Sequence, residues 1–275
     1  MAPPRLPRRS TAVALAAASL LPLGACTASP TASTPEASTT STLPRGDEPV
    51  DLDPDAFTAD SQHRLFPLEP GRRWVYRETD VEGGVARVVV TVTPRTHTVA
   101  AGIEARVVRD TVYEDGQVVE DTLDWYARDP DGNVWYLGED TAEFEDGRIT
   151  TREGSFEAGV DGALAGVIMP AEPQPGAAYR QEWYAGHAED NGEVLATGQQ
   201  AQVAAGHYDD ALLTADTSAL EPKVLEYKLY APGVGLVLTL DASGGSAREE
   251  LVSTRMVGDT AARQAGTAPL GTSYR

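Results

Sequence analysis

The chain has 275 residues, with 22 Lys and Arg set against 42 Asp and Glu, and a formal net charge of −20. Charge of that sign excludes nucleic acid as a partner and excludes charge-driven docking on anionic lipid, while favouring a divalent cation somewhere on the molecule. The single cysteine, Cys26, leaves no intramolecular disulfide and no thiolate zinc site, so packing alone must hold the fold.

The first predicted element is a secretory signal over residues 1–25. Arg5, Arg8 and Arg9 give it a positive start, and residues 11–21 (TAVALAAASLL) form an apolar run. That run is far shorter than the ~20 residues a membrane-spanning helix needs. Small residues then lead into Leu23-Gly24-Ala25-Cys26. The pattern resembles the bacterial lipobox, whose cysteine thiol is diacylated before the signal is cut just ahead of it. The resemblance implies a lipoprotein anchored in the cell membrane through acyl groups such as palmitate on Cys26, with the rest of the chain on the extracytoplasmic face. Two acyl chains are the dual signal that stable anchoring requires. An ordinary signal peptide with an incidental cysteine is the alternative. Cleavage removes three arginines and no acids, which makes the mature chain still more negative.

Residues 26–60 read as a linker. From Thr27 to Arg45 the chain is almost wholly Thr, Ser, Pro and Ala, a composition that cannot bury a core and that proline stiffens. Extended at ~3.1 Å per residue, it reaches on the order of 60 Å. Residues 47–60 are acidic and are expected to be mobile.

The folded domain is expected over residues 61–258. It opens with Leu65-Phe66-Pro67-Leu68-Glu69-Pro70-Gly71-Arg72-Arg73-Trp74-Val75-Tyr76, a Pro-Gly turn feeding an aromatic strand. Near its end stands Tyr230-Ala231-Pro232-Gly233-Val234-Gly235-Leu236-Val237. The two stretches resemble the F-P-L-x-P-G-x-x-W-x-Y opening and the Y-A-P-G-V-G-L-V element of a group of uncharacterised secreted bacterial proteins. That resemblance implies domain limits and no mechanism.

Between these brackets, strand signals follow at short intervals. Gly83-Gly84 turns residues 74–80 into 85–93, where Val88, Val90 and Val92 alternate with threonines. Glu114-Asp115-Gly116 joins 103–113 to 117–128, and Asp129-Pro130-Asp131-Gly132-Asn133 turns the chain into 134–137. Glu145-Asp146-Gly147 leads into 148–153. Leu225, Tyr227 and Leu229 alternate with Glu226 and Lys228, and Gly244-Gly245 returns the chain into 247–257. Residues 158–175, rich in Gly, Ala and Pro, read as an irregular insertion. No helical period stands out, and residues 259–275 read as a disordered tail. The fold class is all-β and mainly antiparallel: a meander of ten to fourteen strands forming a curved sheet, half-barrel or barrel in a single domain.

Aromatic residues recur as adjacent pairs, Trp125-Tyr126, Trp135-Tyr136 and Trp183-Tyr184. Neighbours on a strand point to opposite faces, so each pair gives one ring to either side. Three such strands could line a concave face for a lipid, another apolar ligand or a sugar, or could simply pack the core. Asp129, Asp131 and Asn133 carry oxygen ligands two residues apart, as in a calcium loop. The glycine comes too early for an EF-hand, however, and Asp140 stands where a bidentate glutamate belongs. A hairpin turn is the other reading. The doublets Glu120-Asp121, Glu189-Asp190 and Asp209-Asp210 each split across a strand, so none is by itself a catalytic pair. No zinc-protease helix motif, nucleophile elbow, dinucleotide fingerprint or phosphate loop occurs, and no cofactor is expected.

These residues describe a lipid-anchored extracytoplasmic β domain whose expected role is to bind a lipid or other apolar ligand without catalysis. A carbohydrate-active hydrolase working through paired carboxylates, or a structural component of the cell envelope, are the alternatives.

Overall fold

The computed structural model describes residues 43–243 and 247–273. Cys26, the signal, most of the Thr/Ser/Pro stalk and the Gly244-Gly245 turn lie outside the described residues.

The elements run, in chain order, through a short pair β1 (Gln62–His63) and β2 (Phe66–Pro67), then the long strands β3 (Arg72–Thr79), β4 (Val85–Thr98), β5 (Glu104–Glu114), β6 (Gln117–Arg128) and β7 (Val134–Glu145). Short pieces follow: β8 (Arg148–Thr151), β9 (Phe156–Glu157), β10 (Leu164–Met169), β11 (Ala178–Arg180) and β12 (Glu182–Trp183). The chain then lays down β13 (Asp190–Val203), β14 (Gly206–Ser218), β15 (Leu225–Ala231), β16 (Gly235–Ser243) and β17 (Arg248–Met256), and ends in α1 (Asp259–Thr267). The strands of the main sheet are antiparallel neighbours in the order β11-β13-β14-β15-β16-β17-β3-β4-β5-β6-β7-β10-β12. The all-β, barrel-like meander read from the sequence is the fold.

Closure comes from one short stretch. Residues 178–183 form the first strand of that order and also the last, because β11 pairs with β13 and β12 pairs with β10. The backbone crosses the seam at Gln181, where a Cβ on Gly166 would lie 2.3 Å from the Gln181 carbonyl. Only glycine fits beneath that crossing. Arg180, almost wholly buried, locks the seam: its guanidinium donates to the Ala165 carbonyl and to the carbonyls of Gly46 and Glu48. Residues 43–60 are therefore docked on the barrel, where the sequence suggested a mobile linker. Pro44 accepts from the Arg180 amide, residues 54–56 form a turn of 3₁₀ helix, and Thr58 bridges to Arg128.

The opening stretch, residues 65–76, and the later stretch, residues 230–237, meet each other. The Trp74 indole donates to the Val234 carbonyl at 2.7 Å and the Tyr76 hydroxyl donates to Leu236 at 3.1 Å. Gly233 donates its amide to Arg64. The opening motif thus ties one end of the barrel to the β15–β16 hairpin, with Leu65, Leu68 and Phe66 packed into the same core. Those residues are bound to each other and serve the frame.

The tail expected to be disordered is a helix on the outer face of the sheet. In α1, Ala262 and Ala265 are buried, and residues beyond it reach Phe144 and Asp121. Its small residues carry no amphipathic leucine stripe, so the sequence offers little helical periodicity there. Arg109 rewards the docking with three donations, to the carbonyls of Ala265, Ala268 and Pro269. The stretch 158–175 likewise holds β10, a wall strand of the barrel.

Candidate functional site

Register decides which side chains enter the barrel. Trp74, Tyr76 and Glu78 alternate with Arg73, Val75 and Arg77 along β3, and the first set points inward. Trp74 reaches across to the β15–β16 turn and Tyr76 to β16, whereas Arg77 pairs with Glu250 on the outer surface. Pairing carries the inward row from strand to strand. Glu78 lies opposite Glu249, Asp110 opposite Thr122, Asp124 opposite Glu139, and Asp216 opposite Glu226.

The result is an interior of two halves. Toward the end plugged by Leu65 and Phe66 stand Trp74, Leu212, Tyr230 and Leu251, all buried. Toward the end carrying the turns at 80–84, 114–116 and 145–147, the inward positions are Glu78, Glu120, Glu226 and Glu249, with Asp110, Asp124, Glu139 and Asp216 between. The turns themselves add Asp80, Glu82, Glu114, Asp115, Glu145 and Asp146.

Electrostatics shows that these acids share one space. Burial holds the Asp110 carboxyl well above the usual range, and Asp124 and Glu249, on other strands, push it further. Burial likewise raises Glu182, helped by Asp190, Glu139 and Asp124. Glu249 is pushed up to about 7 by burial and then by Glu78. Groups on β3, β5, β6, β7, β12, β13 and β17 thus act on one another across the barrel. Among the described residues, Lys228 is the one cation set among them. Burial opposes its charge, but Asp216, Tyr230 and Glu226 override that and hold it well above its ordinary pKa. Its ammonium lies 2.8 Å from Asp216 and 3.3 Å from Glu226, and its side chain keeps 24% of its exposure inside the sheet. A filled core would leave none of that exposure. Solvent therefore reaches into the acidic half of the interior.

One arrangement in this half is chemically specific. The Tyr136 hydroxyl lies 2.8 Å from Asp124 Oδ1 and 2.7 Å from Glu139 Oε2. A phenol has one proton to give, so it donates to one carboxylate and accepts from the other, which must then be protonated. Burial, opposed by the Tyr136 bond, raises Asp124 to about 7, and burial with the Asp124 charge raises Glu139 to about 8. The pair holds a proton at neutral pH.

The six aromatic candidates separate by type. Tyr126 and Tyr136 stack at 4.9 Å, and with Tyr184 they pack on Phe156, Ala163 and Ala188 in one small cluster. The tryptophans are not gathered there. Trp125 lies against His97 at 4.2 Å, Trp135 meets Phe57 edge-on, and Trp183 sits in the seam opposite Leu164. In the Asp129–Asn133 turn, Asp129 takes four bonds, from the Gly132 and Asn133 amides, the Asn133 side chain and the Trp135 indole. Its oxygens already serve the turn, while Asp131 is exposed. Among the described residues no three His, Cys, Asp or Glu side chains converge to hold a metal ion. Outside the barrel, a groove of about 510 Å³ runs past Thr58, His63, Arg128 and Glu172. Both His63 nitrogens are used, one accepting from Leu65 and the other facing the Pro170 and Ala171 carbonyls.

No family model matches the sequence, and no curated protein is similar to it. Among solved structures, the chain is similar to a protein from Bacteroides fragilis described as exported and YmcC-like in fold, at 13% identity over 70% of this chain and 99% of that one, with a TM-score of 0.41. A protein described as a lipoprotein, from Parabacteroides distasonis, gives 13% identity, 70% and 99% coverage and a TM-score of 0.38. A β-barrel-like protein of a domain of unknown function, from Brucella abortus, gives 14%, 68% and 98%, and 0.35. Likeness at these values carries no argument about function.

Proposed function

We propose that this chain is a lipid-anchored extracytoplasmic binding protein that receives a small molecule inside its barrel and does no chemistry on it. The supporting observation is the acidic half of the interior, where carboxyls from seven strands face one another and solvent reaches Lys228. A barrel needed only as a wall would place aliphatic side chains at these inward positions, because burying carboxyl groups costs free energy. The acidic half suits a polar ligand or the polar part of a larger one. The anchor on Cys26 follows from the lipobox and from the signal before it.

Native mass spectrometry of the full chain, purified in mild detergent from a bacterial host, tests both parts. The expected species begins at Cys26, carries acyl mass and retains a noncovalent ligand. A bare polypeptide mass in every preparation would sink the binding reading. A Cys26→Ser variant should lose membrane attachment.

The hydrolase reading draws on one observation, the Asp124–Tyr136–Glu139 group, in which one acid is protonated beside one that is not, as general acid–base chemistry requires. Release of product from a panel of glycosides, abolished by Asp124→Asn, would favour it over simple binding.

A further inference from the structure

Building on the binding reading, we propose that the ligand is an organic polycation, an aliphatic di- or polyamine, whose ammonium groups lie among Asp190, Asp216, Glu182 and Glu249 beside the Tyr179 hydroxyl.

Acids alone do not make a site, but Tyr179 does not belong to the acid network. Its side chain is 1% exposed, yet its hydroxyl has no hydrogen-bond partner. The ring lies across Gly192, 2.7 Å from where a Cβ would stand, and Gly192 is opposite Asp216 on the next strand. A Cβ on Gly192 would point to the same inward face as Asp216, so the Tyr179 ring, lying over it, carries the hydroxyl toward the acidic half; burial, and then Asp216, raises its pKa well above the ordinary value. A buried hydroxyl left unsatisfied costs free energy that a donor arriving with a ligand would recover. An ammonium group is such a donor, and it also meets the surrounding negative charge. Two further buried atoms lack partners on the same inward face, Asp110 Oδ1 and Thr239 Oγ1, the latter opposite Lys228.

The same wall shows what it accepts. Lys228 is an alkylammonium already seated between Asp216 and Glu226. The remaining carboxylates are spread too widely to converge on one metal ion. A flexible chain with several ammonium groups can reach them in turn, while its methylenes lie against Tyr230 and Tyr76.

The test titrates the full-length lipoprotein in non-ionic detergent with spermidine, using calcium chloride as the comparison, and follows the heat released. Spermidine should bind, and Tyr179→Phe, which removes only the unpartnered hydroxyl, should weaken it about tenfold without lowering Tm. Glu182→Gln should weaken it similarly. Lys228→Ala, which frees Asp216 and Glu226, should tighten it about tenfold. Asp209→Asn on the outer surface should change nothing, which separates the lumen from general attraction to an acidic protein. Equal spermidine affinity in all five proteins, no binding, or calcium binding at the same site would overturn the proposal. If native mass spectrometry retains an uncharged ligand while spermidine fails, the binding reading stands and the polyamine falls. If both experiments are blank, both readings fall.

Discussion

Replacing Arg109 by methionine tests how far α1 belongs to the fold. The Arg109 and Asp121 side chains are both 0% exposed and pair through two parallel contacts. Asp121 also accepts from Thr111 and from the Gly271 amide, and Arg109 supplies the three helix-end carbonyls. Methionine keeps much of the volume but strands a buried carboxylate, a loss on the order of 3–5 kcal/mol. For a domain of this size each kcal/mol moves Tm by about 2–4 °C, so a fall of about 6–20 °C is expected in a circular-dichroism melt. Deleting residues 259–275 removes the same carbonyls and the Gly271 donor. The two changes share their contacts, so the double change should cost clearly less than their sum. A fall below about 3 °C for Arg109→Met, or strict additivity with the deletion, would refute the claim that α1 is tied down through this guanidinium.

The interior acids predict a second melt. Asp124, Glu139 and Glu249 bind protons more tightly folded than unfolded, so stability is full below their unfolded pKa near 4 and is lost as pH rises toward about 7 to 8. Tm should fall from pH 5 to pH 8, and a Tm that rises over that window would contradict the burial of these groups. Gly166→Ala should open the seam, since its methyl meets the Gln181 backbone, costing about 1–3 kcal/mol or more. Limited proteolysis should then cut near residues 178–183, and resistance equal to wild type would refute the crossing. Asp129→Ala should destabilise the turn by removing an acceptor for four donors. Calcium and chelator should both leave the wild-type Tm unchanged, and a calcium-dependent rise would make the turn a metal site after all.

Much of the frame was legible in the sequence because turn chemistry is local. Asp115 and Asp146, both in the left-handed region beside glycines, mark the hairpins that Glu114-Asp115-Gly116 and Glu145-Asp146-Gly147 signalled. The helix was not legible, because α1 is held by Arg109 from a strand 150 residues earlier, and its own alanines give no stripe. The inward acids were hidden for a different reason. Along β15 the pattern Leu225, Glu226, Tyr227, Lys228, Leu229 alternates cleanly, and alternation fixes two faces without saying which is inside. Here the charged set faces in, a choice visible only once Asp216 and Glu249 stand across from it. The doublet Glu120-Asp121 does split as strand geometry requires, with Glu120 in the lumen and Asp121 under α1. Of the aromatic pairs, the rings gathered in one cluster are the tyrosines, and the Tyr136 hydroxyl meets Asp124 and Glu139.

The pairing of β3 with β17 has a kinetic consequence. The first long strand must leave one edge open until the last strand is in place, and the seam at 178–183 cannot close until both halves have formed. Contacts so distant in sequence make for slow folding, and the waiting edge of β3 is a template for other chains. A chain this negative repels its own copies while that edge is open, so the charge that shapes the interior also keeps unfinished molecules apart.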